Sequence, residues 1–432
     1  MIFKDSELYD GGLRKDGSLF FLVCLITMLF TLNIKQVSVV EIVLYVAASI
    51  GSIIWCATSY KLQLTVEKLV VPLFACVGLL YSIGIAASEE VESSLIVALS
   101  DGQLFSRALY LPFYFIFRTF LPTIAATYCS RIVTTLLCAL ILGFSIQTIP
   151  YGETILALTA LLPNSVYQMV TGSSVATSLF LSFLFISLTI RVSYTKSYYV
   201  MTRRYEFALL FSTGIMVLSD LACLAFLSLL FMIPSRCFGD KKNRYRFIAI
   251  IVLFVIVILL YRFYTTSNYN SSVFSKKDVF LNQVISAPFS FFVTLFKTFF
   301  EKGGEYLLSF ISVKGGIGAV PWPFVFSVIV TYVYTLYFDS GLSPKRFFVI
   351  RCTLLSTGLF ALVVATKGYL FNSSFSTGII DYLQGPEFLP LLLPAVFLIK
   401  RMFKHPAAPQ KNLSLAVLVC VLANLSSVLY YF

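Results

Sequence analysis

A chain of 432 residues that is 59% hydrophobic, 16% aromatic and 12% charged, with mean hydropathy +0.90, lies far from the roughly 25% charged residues of a soluble domain. Its formal charge of +12 argues against nucleic-acid binding as readily as for it, because the cations are spread over loops between apolar runs and form no stripe or tail. Nine cysteines without a C-x-x-C and a single histidine, His405, argue against a disulfide scaffold, a zinc site or a Cys/His nucleophile pair.

From the N-terminus, MIFKDSELYDGGLRKDG is too charged and too long before its apolar run for a cleaved signal, so that run is expected to stay as a span. An apolar helix of ~20 residues crosses the ~30 Å hydrocarbon core because it satisfies its own backbone hydrogen bonds. Thirteen such spans are predicted: Ser18 to Asn33, Ser38 to Thr58, Lys68 to Ala86, Ile132 to Ile149, Thr154 to Thr171, Ser174 to Val192 and Tyr205 to Ser219. They continue with Leu221 to Ile233, Phe247 to Phe263, Pro321 to Phe338, Phe348 to Thr366, Phe388 to Lys400 and Leu413 to Tyr431. The fold class is therefore all-α and polytopic, one domain over 1–432. The two short runs about Asp220 read as two passes or as one re-entrant hairpin, which makes the count 13 or 11.

The positive-inside bias orients the chain. With the N-terminus in the cytoplasm, the cytoplasmic loops carry Lys61, then Arg191 to Arg204, then Arg236 to Arg246, then Lys345 and Arg346, then Arg401 to Lys411. The C-terminus falls outside. So do three longer segments, 87–131, 264–320 and 367–387, the only regions large enough to build a polar site. Two of them hold interrupted apolar stretches, SLIVALSDGQLFSRALYLPFYFIFRTFLPTIAATY and VFLNQVISAPFSFFVTLFKTFFEKGGEYLLSFI, that suit helices lying in the membrane interface.

Glu89 and Glu90 follow the third span at the outer boundary. A carboxylate there suits a general base toward a hydroxyl, or a divalent metal neutralising a lipid-linked phosphate. An acidic helix end that solvates a loop is the plainer reading of position alone. Cations outside run against the positive-inside bias, and Arg107, Arg118, Arg131, Lys314 and Lys367 stand there or at the boundary. They suit phosphate or pyrophosphate of a polyisoprenyl carrier, or simple snorkelling to headgroups. Lys314 opens K-G-G-I-G-A-V-P-W-P, a tight turn before a span and not a phosphate loop. Asp220 reads as a turn residue or a proton relay.

Several blocks together resemble a bacterial membrane-protein family of unknown function, family 2142. They are S-E-E-V-E-S-S-L-I-V-A-L-S-D-G-Q-L from Ser88, S-R-I-V-T-T-L-L from Ser130, L-L-P-N-S-V-Y-Q-M-V-T-G-S-S from Leu161, F-L-N-Q-V-I-S-A-P-F-S-F-F from Phe280, G-E-Y-L-L-S-F-I-S-V-K-G-G-I-G from Gly304, and the stretch from Thr366 that ends in Q-G-P-E-F-L-P. That family is similar in layout to polyprenyl-phosphate-dependent glycosyltransferases of the C-type fold. The resemblance implies a bundle with interfacial outer helices and Glu89 or Glu90 as catalytic base. Arg107, Arg118, Arg131, Lys314, Lys367 and Gln384 are the candidate substrate-binding residues. Pro386 and Glu387 stand where the family has Arg and Tyr, Ser93 where it has His, and Val175 where it has Asp, so phosphate binding passes to other cations such as Arg107, Arg131 or Lys367.

The expected activity is a glycosyltransferase that moves a sugar from a polyisoprenyl-phosphate donor to a surface polysaccharide, such as the O-antigen of lipopolysaccharide, on the outer face of a bacterial inner membrane. Its partners are then the lipid-linked sugar, the polysaccharide acceptor and membrane lipids, with a divalent metal the one cofactor in question. An O-antigen polymerase and a non-enzymatic flippase of lipid-linked saccharide stay open as alternatives.

Overall fold

The computed structural model describes residues 66–84, 107–150, 152–194, 201–269, 288–311, 328–333, 347–371 and 385–400. Among them every element is helical and no strand occurs. The spans expected at Ser18 to Asn33, Ser38 to Thr58 and Leu413 to Tyr431 lie outside the described residues, as does all of the Pro321 to Phe338 span except a helical stretch at 328–333.

In chain order the helices are α1 (Val66–Gly84), α2 (Leu111–Arg118), α3 (Thr123–Thr148), α4 (Glu153–Ala160), α5 (Pro163–Val170), α6 (Ser174–Tyr194) and α7 (Arg203–Ser219). A 3-10 helix, Leu221–Met232, and a short one, Ser235–Phe238, lead into α8 (Lys241–Tyr269). Then come α9 (Pro288–Ile311), α10 (Phe347–Phe371), a 3-10 turn at Gly385–Phe388 and α11 (Leu389–Lys400).

Among the described residues three helices are long and apolar enough to cross a membrane: Thr123–Thr148, Ser174–Ser193 and Lys241–Tyr261. Shorter apolar helices run over Val70–Ser82, Leu221–Met232 and Arg351–Thr366. Burial ranks the three long ones. The apolar window of α6 is 83% buried inside the protein, that of α3 50%, and that of α8 only 22%. Helix α6 is thus the central post, and α8 is a peripheral helix with an apolar outer face.

The buried face of α6 is rich in hydroxyls, and four of them settle on their own helix, while the buried Ser187 hydroxyl has no hydrogen-bond partner among the described residues. Ser178, Ser182, Thr189 and Ser193 donate to carbonyls three or four residues back, those of Val175, Ser178, Phe185 and Thr189. These four side chains are short and internally satisfied, so neighbours approach them closely. On the α1 side the aromatic wedge Phe74–Phe180–Phe183 fills the gap, with ring centroids 5.5 and 5.8 Å apart.

The run from Thr154 to Thr171, expected as one span, is two helices of eight residues each, α4 and α5. Pro163 forces the break. It has no N–H to continue the α4 ladder and sits in the first turn of α5, where none is needed. Ser165 then donates to the freed Thr159 carbonyl at 2.8 Å, and the Thr159 hydroxyl pairs with the Tyr332 hydroxyl. Gly152 and Gly172, at φ 78 and 64, close the two ends of the element.

Helix α3 also departs from expectation. It starts at Thr123, nine residues before the expected Ile132, because the polar lead TIAATYCSR ties its hydroxyls inward: Thr127 donates to the Thr123 carbonyl and Ser130 to that of Ala126. The hairpin about Asp220 has arms of similar reach. Helix α7 has 17 residues, about 25 Å at 1.5 Å per residue. The 3-10 arm has only 12, yet its steeper rise of ~2.0 Å per residue carries it about 24 Å. This arm packs mainly on α10, with Phe226 and Phe360 stacked at 4.8 Å.

Candidate functional site

Three stretches expected on one face of the bundle come together around α5. The first enters through residues 107–118. The Thr134 hydroxyl donates to the Leu109 carbonyl at 3.1 Å and pins the approach to α2 against α3. Leu111 and Tyr114 then turn inward onto Ala126 while Phe115, Ile116 and Arg118 face out, giving α2 two unlike sides. The second stretch is α9. Asn164 of α5, 1% exposed, donates its amide to the Ser309 carbonyl, and Gln168 donates to Asn164 Oδ1 at 3.2 Å. The third is the Gly385–Phe388 turn, where Phe388 lies 6.1 Å from Phe299 and 6.4 Å from Tyr306 of α9 and the turn also touches α5.

Arg131 stands at the middle of this junction, 2% exposed, the largest fully buried side chain among the described residues. Its guanidinium carbon lies 5.6 Å from the Tyr128 ring centroid, a cation–π contact. The phenols of Tyr110 and Tyr167 also act on its charge. A buried guanidinium is costly unless its donors are engaged, and the Tyr128 ring face is one partner this chain gives it.

Tyr110 is the hinge of the cluster. Its ring packs on the turn at Gly172, where a Cβ would come within 2.5 Å of the ring. Burial pushes its hydroxyl up to about 12 despite the opposing pull of Arg131, the Thr127 hydrogen bond and Arg107. Burial also lowers Arg107, against the attraction of Tyr110. One turn beyond Arg131, the buried Thr135 hydroxyl has no hydrogen-bond partner among the described residues.

Of the residues singled out in the sequence, Arg107 and Arg131 meet at Tyr110. Arg131, expected at or near the outer boundary, is part of a helix and not of a loop. It lies inside α3, in the third turn, with its side chain buried and its guanidinium over the Tyr128 ring. Arg118 is on the exposed side of α2, away from the cluster. Glu89, Glu90, Lys314 and Gln384 lie outside the described residues; Lys367 lies on α10, its side chain outside them. No group of three metal-ligating side chains occurs among the described residues.

Tyr110, Tyr128, Tyr167, Asn164 and Ser309 were not singled out in the sequence. Twenty-five tyrosines dilute any single one. The signal that existed was Tyr128 three residues before Arg131, one helical turn away and on the same side. The chain matches no protein-family model, no curated protein and no solved structure.

Proposed function

We propose that the chain is an integral-membrane glycosyltransferase that takes its sugar from a polyisoprenyl-phosphate donor and works on the outer face of a bacterial inner membrane. The observation that carries the reading is the buried guanidinium of Arg131 in α3, over the Tyr128 ring and within electrostatic reach of Tyr110 and of Tyr167 on α5. A cation held in a water-poor aromatic setting attracts phosphate far more strongly than the same cation in water. Apolar helices of bilayer length and an amphipathic α9 beside the junction fit a donor whose tail stays in lipid. The finer count of 11 to 13 spans, the C-type bundle, the cytoplasmic N-terminus and the periplasmic C-terminus belong to this reading.

In the reaction, Glu89 or Glu90 removes the proton of an acceptor hydroxyl on the polysaccharide. That oxygen bonds to the anomeric carbon as the bond from that carbon to the lipid phosphate breaks. The electron pair leaves on the phosphate, whose added charge Arg131 and Arg107 stabilise. Lys367, Lys314, Arg118 and Gln384 are the further candidates for holding the donor.

The test replaces Glu89 and Glu90 by Gln separately, and Arg131 by Lys, and follows transfer of labelled sugar in membranes. At least one Gln variant should lose about 100-fold or more, the scale of general-base catalysis. Arg131→Lys should lose about tenfold from the broken planar donor set. Membrane abundance should stay at the parent level. Undiminished transfer in both Gln variants refutes the assignment, and lipid-linked sugar that crosses vesicles unconsumed identifies a flippase.

A further inference from the structure

The opposite end of the bundle carries a second feature that the transfer reaction does not use. Residues 201–210 and 235–246 supply seven Lys and Arg against two carboxylates, Glu206 and Asp240. Tertiary contacts gather them. The Met201 amide donates to the Cys237 carbonyl at 2.7 Å and the Cys237 thiol to the Val192 carbonyl at 3.4 Å, so the ends of α6, α7 and the Ser235–Phe238 turn share one corner. Helices α7 and α8 both start there and run side by side, with Phe254 filling the notch at Gly214.

Two of the cations at this end are already employed. Arg244 donates to the Phe231 carbonyl at 3.1 Å and Arg191 to the Gln147 carbonyl at 3.2 Å, each closing the last turn of a helix. Arg204, Arg236, Lys242 and Arg246 are exposed and form no ion pair among the described residues. Below them the surface is apolar. Arg204, Phe207 and Phe211 lie on one face of α7, the two rings stacked at 6.2 Å and 68% and 52% exposed. The outer face of α8 continues the strip with Leu253, Val257 and Leu260.

We propose that this corner binds an anionic phospholipid, its phosphate on Arg204, Arg236, Lys242 and Arg246 and its acyl chains along Phe207, Phe211 and the outer face of α8. Charge complementarity selects the occupant. Unpaired cations directly above exposed aromatics fit an amphiphile with a negative head and an apolar tail, and each cation near such a surface adds attraction of the same sign. A free phosphate satisfies the cations alone and leaves the aromatic strip bare. The inference rests on the membrane part of the proposed function and is independent of the glycosyl transfer.

The experiment measures the thermal midpoint of the purified full chain in detergent micelles titrated with phosphatidylglycerol, phosphatidylcholine or inorganic phosphate. Phosphatidylglycerol should raise the midpoint by several degrees and the other two should not. In a variant with Arg204, Arg236, Lys242 and Arg246 all replaced by Gln the shift should vanish, and Phe207→Ala with Phe211→Ala should reduce it. Equal shifts with phosphatidylglycerol and phosphatidylcholine, an equal shift with phosphate alone, or an undiminished shift in the Gln variant overturns the proposal. Failure of the membrane reading is separate, since the chain would then be recovered from cells without detergent.

Discussion

At the scale of the residue, enclosure gives a side chain a role that its neighbours in sequence do not reveal. Arg131 is one of 32 Lys and Arg in the chain, and position alone sets it beside Arg118 as an outer boundary cation. In the fold they part company: Arg131 is enclosed and Arg118 is exposed. The seat of the neighbouring Tyr110 ring depends on Gly172, whose φ of +64 and contact with that ring leave no room for a side chain. Gly172→Ala should cost more than about 1 kcal/mol, read as a lower thermal midpoint. Gly172→Asn tolerates the left-handed backbone but keeps the clashing Cβ, so it should fare no better. A milder loss in Asn would show that backbone strain, and not the ring contact, fixes this position.

At the scale of the element, a few atoms at the ends decide where helices stop. Asp220 closes the Leu221–Met232 helix by accepting the Ala222 amide at 3.1 Å, which matches the turn role among its two sequence readings. Asp220→Ala should cost about 1 kcal/mol, and Asp220→Asn, which retains an acceptor, should cost little. Equal loss of activity in both variants at undiminished stability would favour a proton relay. Hydropathy located α1, α6, α7, α8 and α10 closely, because a long apolar run against a membrane background is a strong signal. It failed at α4 and α5, where Pro163 outweighs an apolar composition, and at the start of α3, where a stretch that reads as interfacial helix runs on without a break into the apolar helix from Ile132.

At the scale of the whole molecule, the described residues form a helical bundle with unlike ends: an enclosed cation among aromatics near the start of α3, and exposed cations at the starts of α7 and α8. From Arg131 to Gln147 is 16 residues of α3, about 24 Å along the helix axis. If the two ends lie on opposite sides of the membrane, a cysteine at Thr119 should react with an impermeant thiol reagent on intact cells, and one at Arg236 only after permeabilisation. Both positions are exposed. Labelling of both from outside would refute the orientation. The sequence by itself determined the helical class, the approximate bounds of most apolar helices and the separation of basic loops from longer segments, because these follow from local composition and charge. Only the tertiary structure decided that Arg131 is buried over the Tyr128 ring, that α9 is tied to α5 through Asn164 and Ser309, and that Val192, Met201 and Cys237 share one corner. The reason is physical: these contacts join residues up to 145 apart in the chain, and such pairings are set by how whole helices pack.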